Sequence, residues 1–146
     1  MEGHAHHADS GAYAPTVGLR SGDTARRSFD SYQDFFPFYV SQHSQPATRW
    51  LHFAGLHLGV LAASAALLGR RPAGVVALPA LGYGLAWCSH LAIEKNRPAT
   101  FGHPLWSLRG DLTMVAMMWQ GRDDELTRIA RDQRTIVLDG GDRTAA

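Results

Sequence analysis

The sequence predicts an all-α fold: a small helical membrane protein, with a two-helix transmembrane hairpin and flanking interfacial helices. Three observations predict it. Trp50–Leu68 is a run of nineteen residues without a charge, and Ala73–Ile93 is a second of twenty-one. Only Gly69-Arg70-Arg71-Pro72 separates them, a turn-forming tetrapeptide. His52 stands nineteen residues before Arg71 and His90 nineteen after it, so an antiparallel hairpin folded at this turn brings both to the same height at its open end. About 20 apolar residues cross a bilayer as a helix. Two such runs are hard to bury inside one 146-residue domain.

Composition narrows the function classes. The formal charge is +1, there is a single Lys, and no Lys/Arg run exceeds two residues, so a phosphate-tracking groove has no basis and no nucleic-acid partner is expected. Cys88 is the lone cysteine, which excludes an internal disulfide and a CxxC knuckle; inside an apolar run it reads as a small buried thiol. GxGxxG and GxxxxGK[ST] are absent, as are HxxxH, HExxH and the eight-histidine box pattern of membrane desaturases.

In chain order, residues 1–28 are rich in Gly, Ala, Ser and His, with no helical or strand period and no apolar signal-peptide region, and read as a disordered tail. His4, His6 and His7 belong to it as solvated side chains. Phe29–Val40 crowds aromatic residues around Pro37, as a segment at a membrane interface or capping a core does. Ser41–Thr48 is a polar link with His43 and Pro46, the latter a helix-entry proline.

In the first apolar run, Gly55, Gly59 and Ala63 recur every fourth residue and form a smooth groove, with His52 beside it. This GxxxG face is a candidate for pairing copies of the chain into a homo-oligomer. His57 lies roughly 140° around the helix from His52 and points elsewhere. In the second run Gly82 and Ala86 form a matching stripe that leads to His90 and Glu94 at i, i+4 steps. Glu94–Pro104 is a polar exit ending near His103. Leu105–Gln120 has helical periodicity and is short for a span, fitting an interfacial helix or one packed across the hairpin's open end. Residues 29–121 thus form one membrane helical domain carrying the site. Residues 122–146 form a charged, solvated helix and tail, loose from Gly140 on.

Arg70 and Arg71 sit at the turn, against Arg49, Lys95, Arg97 and the nearby Arg26 and Arg27 at the open end. The positive-inside rule then places the termini and the histidine end on the cytoplasmic side of an integral membrane protein, by a small margin.

His43, His52, His90 and His103 all gather at the open end. Polar side chains at the border of a membrane core are costly and tend to be functional, and neutral imidazoles suit Fe(II), Zn(II) or Cu. Glu94 is placed to add a carboxylate or to orient an imidazole. Taken singly, each histidine also reads as an interfacial residue bonded to backbone or lipid headgroups. A Ser89-His90-Asp111 triad lacks a nucleophile elbow, and Arg109 and Asp111 read as helix-end polar contacts.

HSQPATRWLH (His43–His52) and AWCSHLAIEKNRPATFGHPLWSLRGD (Ala86–Asp111) resemble the small membrane proteins related to the fungal 2-hydroxy fatty acid dioxygenase, over Phe35 to Gly121. The fungal enzyme acts in the endoplasmic reticulum, in α-oxidation of fatty acids derived from phytosphingosine. The resemblance implies an Fe(II)-dependent oxygenase that uses O2 to remove one carbon from a 2-hydroxy fatty acid as CO2. His43, His52 and His90 match the family's histidines. His103 matches the short bacterial-type branch and has no counterpart in the fungal enzyme. In this reading these four hold the metal, Glu94 completes or supports the set, Arg97 or Lys95 pairs with the substrate carboxylate, and the acyl chain lies along the hairpin. The alternative is a non-catalytic membrane hairpin that associates through its GxxxG face, with structural histidines.

Overall fold

The computed structural model describes residues 28–142, and among them the chain is helical with no strand. The tail expected over residues 1–28, with its three histidines, lies outside the described residues but for Ser28. The elements are α1 (Tyr32–Ser41), α2 (Pro46–Leu68), α3 (Ala77–Ser89), α4 (Pro104–Trp119) and α5 (Asp123–Asp142).

Local chemistry sets the ends. Ser31 caps α1: its hydroxyl accepts from the Asp34 N–H at 3.2 Å and donates to the Asp34 carboxylate at 2.5 Å. Pro46 occupies the first turn of α2, where its missing N–H costs nothing. At the other end of α2, Arg70 takes a left-handed conformation with φ of 54°. The Arg71 N–H then donates to the Ala66 carbonyl at 2.8 Å and the Arg70 N–H to Leu67 at 3.0 Å, a Schellman turn with arginine in the usual glycine position. The chain reverses there. Pro72–Val76 is a 3-10 turn into α3, and His90–Glu94 closes that run as a π turn.

The α2–α3 hairpin is packed backbone to backbone. A Cβ on Gly59 would stand 2.8 Å from the Leu78 carbonyl oxygen, and one on Gly55 3.1 Å from that of Leu81. The GxxxG face is therefore filled by α3 of the same chain, and Gly55 and Gly59 are not free to pair a second copy. Gly82 departs from the expected stripe as well. A Cβ there would meet nothing within 4 Å.

Pro46–Leu68 and Pro72–Glu94, 23 residues each, are long and apolar enough to cross a membrane. Much of their surface outside their mutual contact is exposed, with Leu61, Leu68, Val76 and Leu91 more than half uncovered. Cys88 is exposed on this surface too, because α3 packs on one side only; the expected buried thiol is not found.

The buried core lies beyond the open end of the hairpin. Phe35, Phe38, Tyr39 and Val40 of α1 pack with Met114 and Met117 of α4 and Leu126 and Ala130 of α5. Of the two readings of the aromatic segment, the core cap is the one realised. The charged C-terminal helix is amphipathic rather than solvated all round: Leu126 is fully buried, and the helix runs past Gly140 to Asp142. Arg49 is not a free flanking charge. Fully buried, its guanidinium donates to both carboxylate oxygens of Asp123 at 2.7 and 2.9 Å, and to the Thr127 hydroxyl at 2.8 Å. This pairing removes one cation from the open-end count.

Candidate metal centre

Three elements deliver one imidazole each. His43 sits in the α1–α2 link, His52 in the second turn of α2, and His90 at the start of the π turn. All three are buried, and their ligating nitrogens lie within 4.8 Å of one another. The rings stand nearly perpendicular, with centroids 4.5 Å apart for His43 and His52, 4.6 Å for His43 and His90, and 5.3 Å for His52 and His90.

The second nitrogen of each ring is already engaged. His43 Nδ1 meets the Tyr39 carbonyl at 2.7 Å, His52 Nδ1 the Asp111 carboxylate at 2.7 Å, and His90 Nδ1 the Asn96 Oδ1 at 2.8 Å. The Asn96 amide is oriented by its own donor end, which reaches the Gln42 carbonyl at 3.0 Å and Gln42 Oε1 at 3.2 Å. All three partners are acceptors, so the proton on each ring is assigned to Nδ1. Each Nε2 is then left with a lone pair. His43 Nε2 and His52 Nε2 are buried with no hydrogen-bond partner.

Buried lone pairs facing one another are unfavourable unless a cation lies among them. The donor set fits a divalent first-row metal, for which neutral imidazole with an oriented Nδ1–H is the common ligand form. Burial first, then the neighbouring His52 and His90, hold the His43 imidazole well below its ordinary pKa, so it stays neutral near pH 7. The chamber bounded by the three rings has a volume of about 10 Å³, room for one ion or water.

The surrounding shell is rigid. The oxygen of Asp111 that meets His52 also accepts the Tyr39 hydroxyl. Burial and the Asp111 charge raise the Tyr39 phenol well above its usual range and keep it a donor. The Tyr39 ring lies tilted against His43 with centroids 4.2 Å apart, and Gly110 lets α4 press against that ring, where a Cβ would fall 2.9 Å away. Arg49 Nη1 donates to the His43 carbonyl at 3.0 Å, fixing the link that carries the ligand.

Three of the four predicted histidines therefore converge. His103 is held elsewhere: it caps α4 among aromatic rings, 5.4 Å from Phe29 and Phe35 and stacked 5.8 Å from Trp106. Glu94 also has another position. Its carboxylate accepts the Gln45 N–H at 2.7 Å and the Ser44 hydroxyl at 2.9 Å, capping α2 across the hairpin. The i, i+4 alignment with His90 assumes a regular α-helix, and the π turn replaces it. Arg97 lies exposed over the Phe101 ring at 5.4 Å. Ser89 is fully buried with its hydroxyl on the Ala86 carbonyl at 2.6 Å, and Asp111 serves His52, not His90, so no triad forms.

The sequence expectation of helix-end polar contacts for Arg109 and Asp111 is not met, since Arg109 lies over the Tyr32 ring and Asp111 holds His52, while Asn96 and Tyr39 carry no site role in the sequence. The available signal was an aspartate interrupting the apolar periodicity of Leu105–Gln120.

No curated protein and no solved structure matches the chain. A family model described as "Mpo1-like: 2-hydroxy-palmitic acid dioxygenase Mpo1-like" matches residues 29–123, which take in all three converging histidines and both of their side-chain partners. The chain belongs to this Mpo1-like family.

Proposed function

We propose that this protein is a membrane-bound, Fe(II)-dependent dioxygenase that shortens 2-hydroxy fatty acids by one carbon. Its strongest support is the convergence of three buried imidazoles, each with Nδ1 held by an acceptor, in a chain of this family. His43, His52 and His90 would hold the iron, with Glu94 engaged in capping and His103 outside the set. Held there, iron would supply Lewis acidity and the capacity to activate O2.

The chain's own residues position and insulate. Asp111 keeps the His52 ring turned and its Nε2 unprotonated, Asn96 does so for His90, and the Tyr39 carbonyl for His43. His43, His52 and His90 would hold the metal as three protein ligands, and holding one substrate molecule at that site would make cleavage between C1 and C2 intramolecular. The stoichiometry closes without a further reductant: R–CH(OH)–COOH plus O2 gives R–COOH, CO2 and H2O. The acid loses four electrons and O2 gains four. Arg97, on the segment leading to the chamber's Pro98–Thr100 wall, is the cation we assign to the carboxylate. The α2–α3 hairpin spans the bilayer, with the histidine end and termini cytoplasmic.

The test is anaerobic loading of detergent-purified protein with Fe(II), then addition of 2-hydroxypalmitate and O2. Mass spectrometry should show the acid shortened by one carbon together with CO2. An unshortened acid from iron-loaded protein would leave a metal site with a different task.

A further inference from the structure

An apolar groove of about 360 Å³ runs between α2, α3 and α4. Leu56 and Val60 of α2, Leu78 and Gly82 of α3, and Leu112 and Val115 of α4 supply its walls. The histidine chamber and this groove adjoin, with His52, Tyr83, Ala86 and Asp111 lining both. His52, Leu56 and Val60 follow at i, i+4 and i+8, one face of α2 extending about 12 Å toward the turn. The charged and imidazole groups stand at one end and the aliphatic walls fill the rest. Such a cleft matches an amphiphile with its head at the histidines and its tail pointing to the Arg70 turn.

Gly82 makes the space. The glycines that serve hairpin packing are recognisable, since a Cβ on Gly55 or Gly59 would collide with α3 backbone. Gly82 is different: a Cβ there reaches open volume within the groove. Glycine is a poor helix residue, and neither a turn nor a helix contact calls for one at this position. Its missing side chain leaves volume in the groove, one helical turn from Ala86, which lines both spaces. Leu108 and Leu112 on the α4 wall are about half exposed, so the groove is open along its flank to whatever surrounds the hairpin.

Resting on the metal-centre reading above, we infer that this groove seats the substrate's alkyl chain and that Gly82 sets which chain lengths it admits. The tail enters sideways through the α3–α4 flank, from the acyl region of the bilayer, while the head stays at the histidines.

The experiment compares wild type with Gly82→Leu, which fills the groove from α3, and Leu112→Trp, which narrows it from α4. Detergent-purified, iron-loaded proteins are given an equimolar mixture of 2-hydroxyoctanoate and 2-hydroxypalmitate. In parallel, 2-hydroxypalmitate carrying a terminal diazirine is photolysed on each protein and the labelled residues are mapped. The expected result is at least a tenfold fall in the long-to-short turnover ratio in both variants. Labelling at Val60, Leu78 or Val115 should be lost from the variants, with bound iron equal to wild type. An unchanged ratio in iron-loaded variants would overturn the inference, as would wild-type label confined to outer positions such as Leu58 or Leu61. Should the wild type bind no iron yet label within the groove, the metal reading fails and the groove assignment stands. Photolabelling is read independently of turnover, so the two outcomes are distinguishable.

Discussion

Asp111 and His52, 59 residues apart in the chain, meet at 2.7 Å, and the same carboxylate oxygen takes the Tyr39 hydroxyl. One side chain of α4 thus fixes His52 on α2 and the aromatic ring that supports His43 in the α1–α2 link. Asp111→Ala should lower metal affinity by about 10- to 100-fold, the usual cost of losing an orienting partner. Asp111→Asn, which keeps an acceptor for Nδ1, should lose less. A chelator competition titration decides it; equal affinity in all three proteins would separate Asp111 from the metal site.

Arg49 joins the ligand loop to α5. Removing it leaves Asp123 and the His43 carbonyl without their donor, and a broken buried pair costs on the order of 3 kcal/mol. Arg49→Leu should therefore lower the thermal midpoint of unfolding in detergent by many degrees. Arg49→Lys should recover only part, because an ammonium cannot serve both Asp123 oxygens in a fork. Full recovery by lysine would show that the charge alone matters.

The hairpin glycines should separate by substitution. Gly59→Ala puts a methyl against the Leu78 carbonyl and should destabilise by about 1–3 kcal/mol. Gly82→Ala meets open space and should be neutral or slightly stabilising. Unfolding in mixed micelles measures both, and equal destabilisation would contradict the packing described.

Much of this was legible in the sequence because helix geometry is regular. Equal spacing of His52 and His90 about Arg71 put them level, and the proline entry placed His43 nearby. The α2–α3 contact was written in Gly55, Gly59 and Ala63. Partners at long separation were not readable: nothing local in SLRGDLT says that Asp111 faces α2, or that Asn96 turns back onto His90. Glu94 was misplaced by assuming that the α-helix continues through a π turn. His103 carries the same imidazole as the ligands, but its position as the cap of α4 among Phe29, Phe35 and Trp106 is set by the aromatic core. Cys88 was judged from an apolar neighbourhood, which in this chain means an uncovered surface rather than an interior.

Acidification should weaken the metal-free fold. Burial holds the His43 imidazole below its ordinary value of 6.5, whereas the unfolded chain titrates near that value. The unfolded state then binds more protons as pH falls below 6.5. Stability from this group is fully present above that pH and declines toward the lower folded pKa, by up to about 1.4 kcal/mol per pH unit. Chelator-treated wild type should lose thermal stability between pH 6.5 and 5, and His43→Phe should lose less. Identical profiles would place the acid sensitivity elsewhere.

Iron content is the most direct test of the central claim. Wild type, His43→Ala, His52→Ala, His90→Ala and His103→Ala are loaded anaerobically with Fe(II), desalted in detergent, and bound iron is measured against protein. The account predicts iron stoichiometric with the chain in wild type and His103→Ala, and its loss in each of the other three. Trace iron that is equal in all five proteins would contradict it.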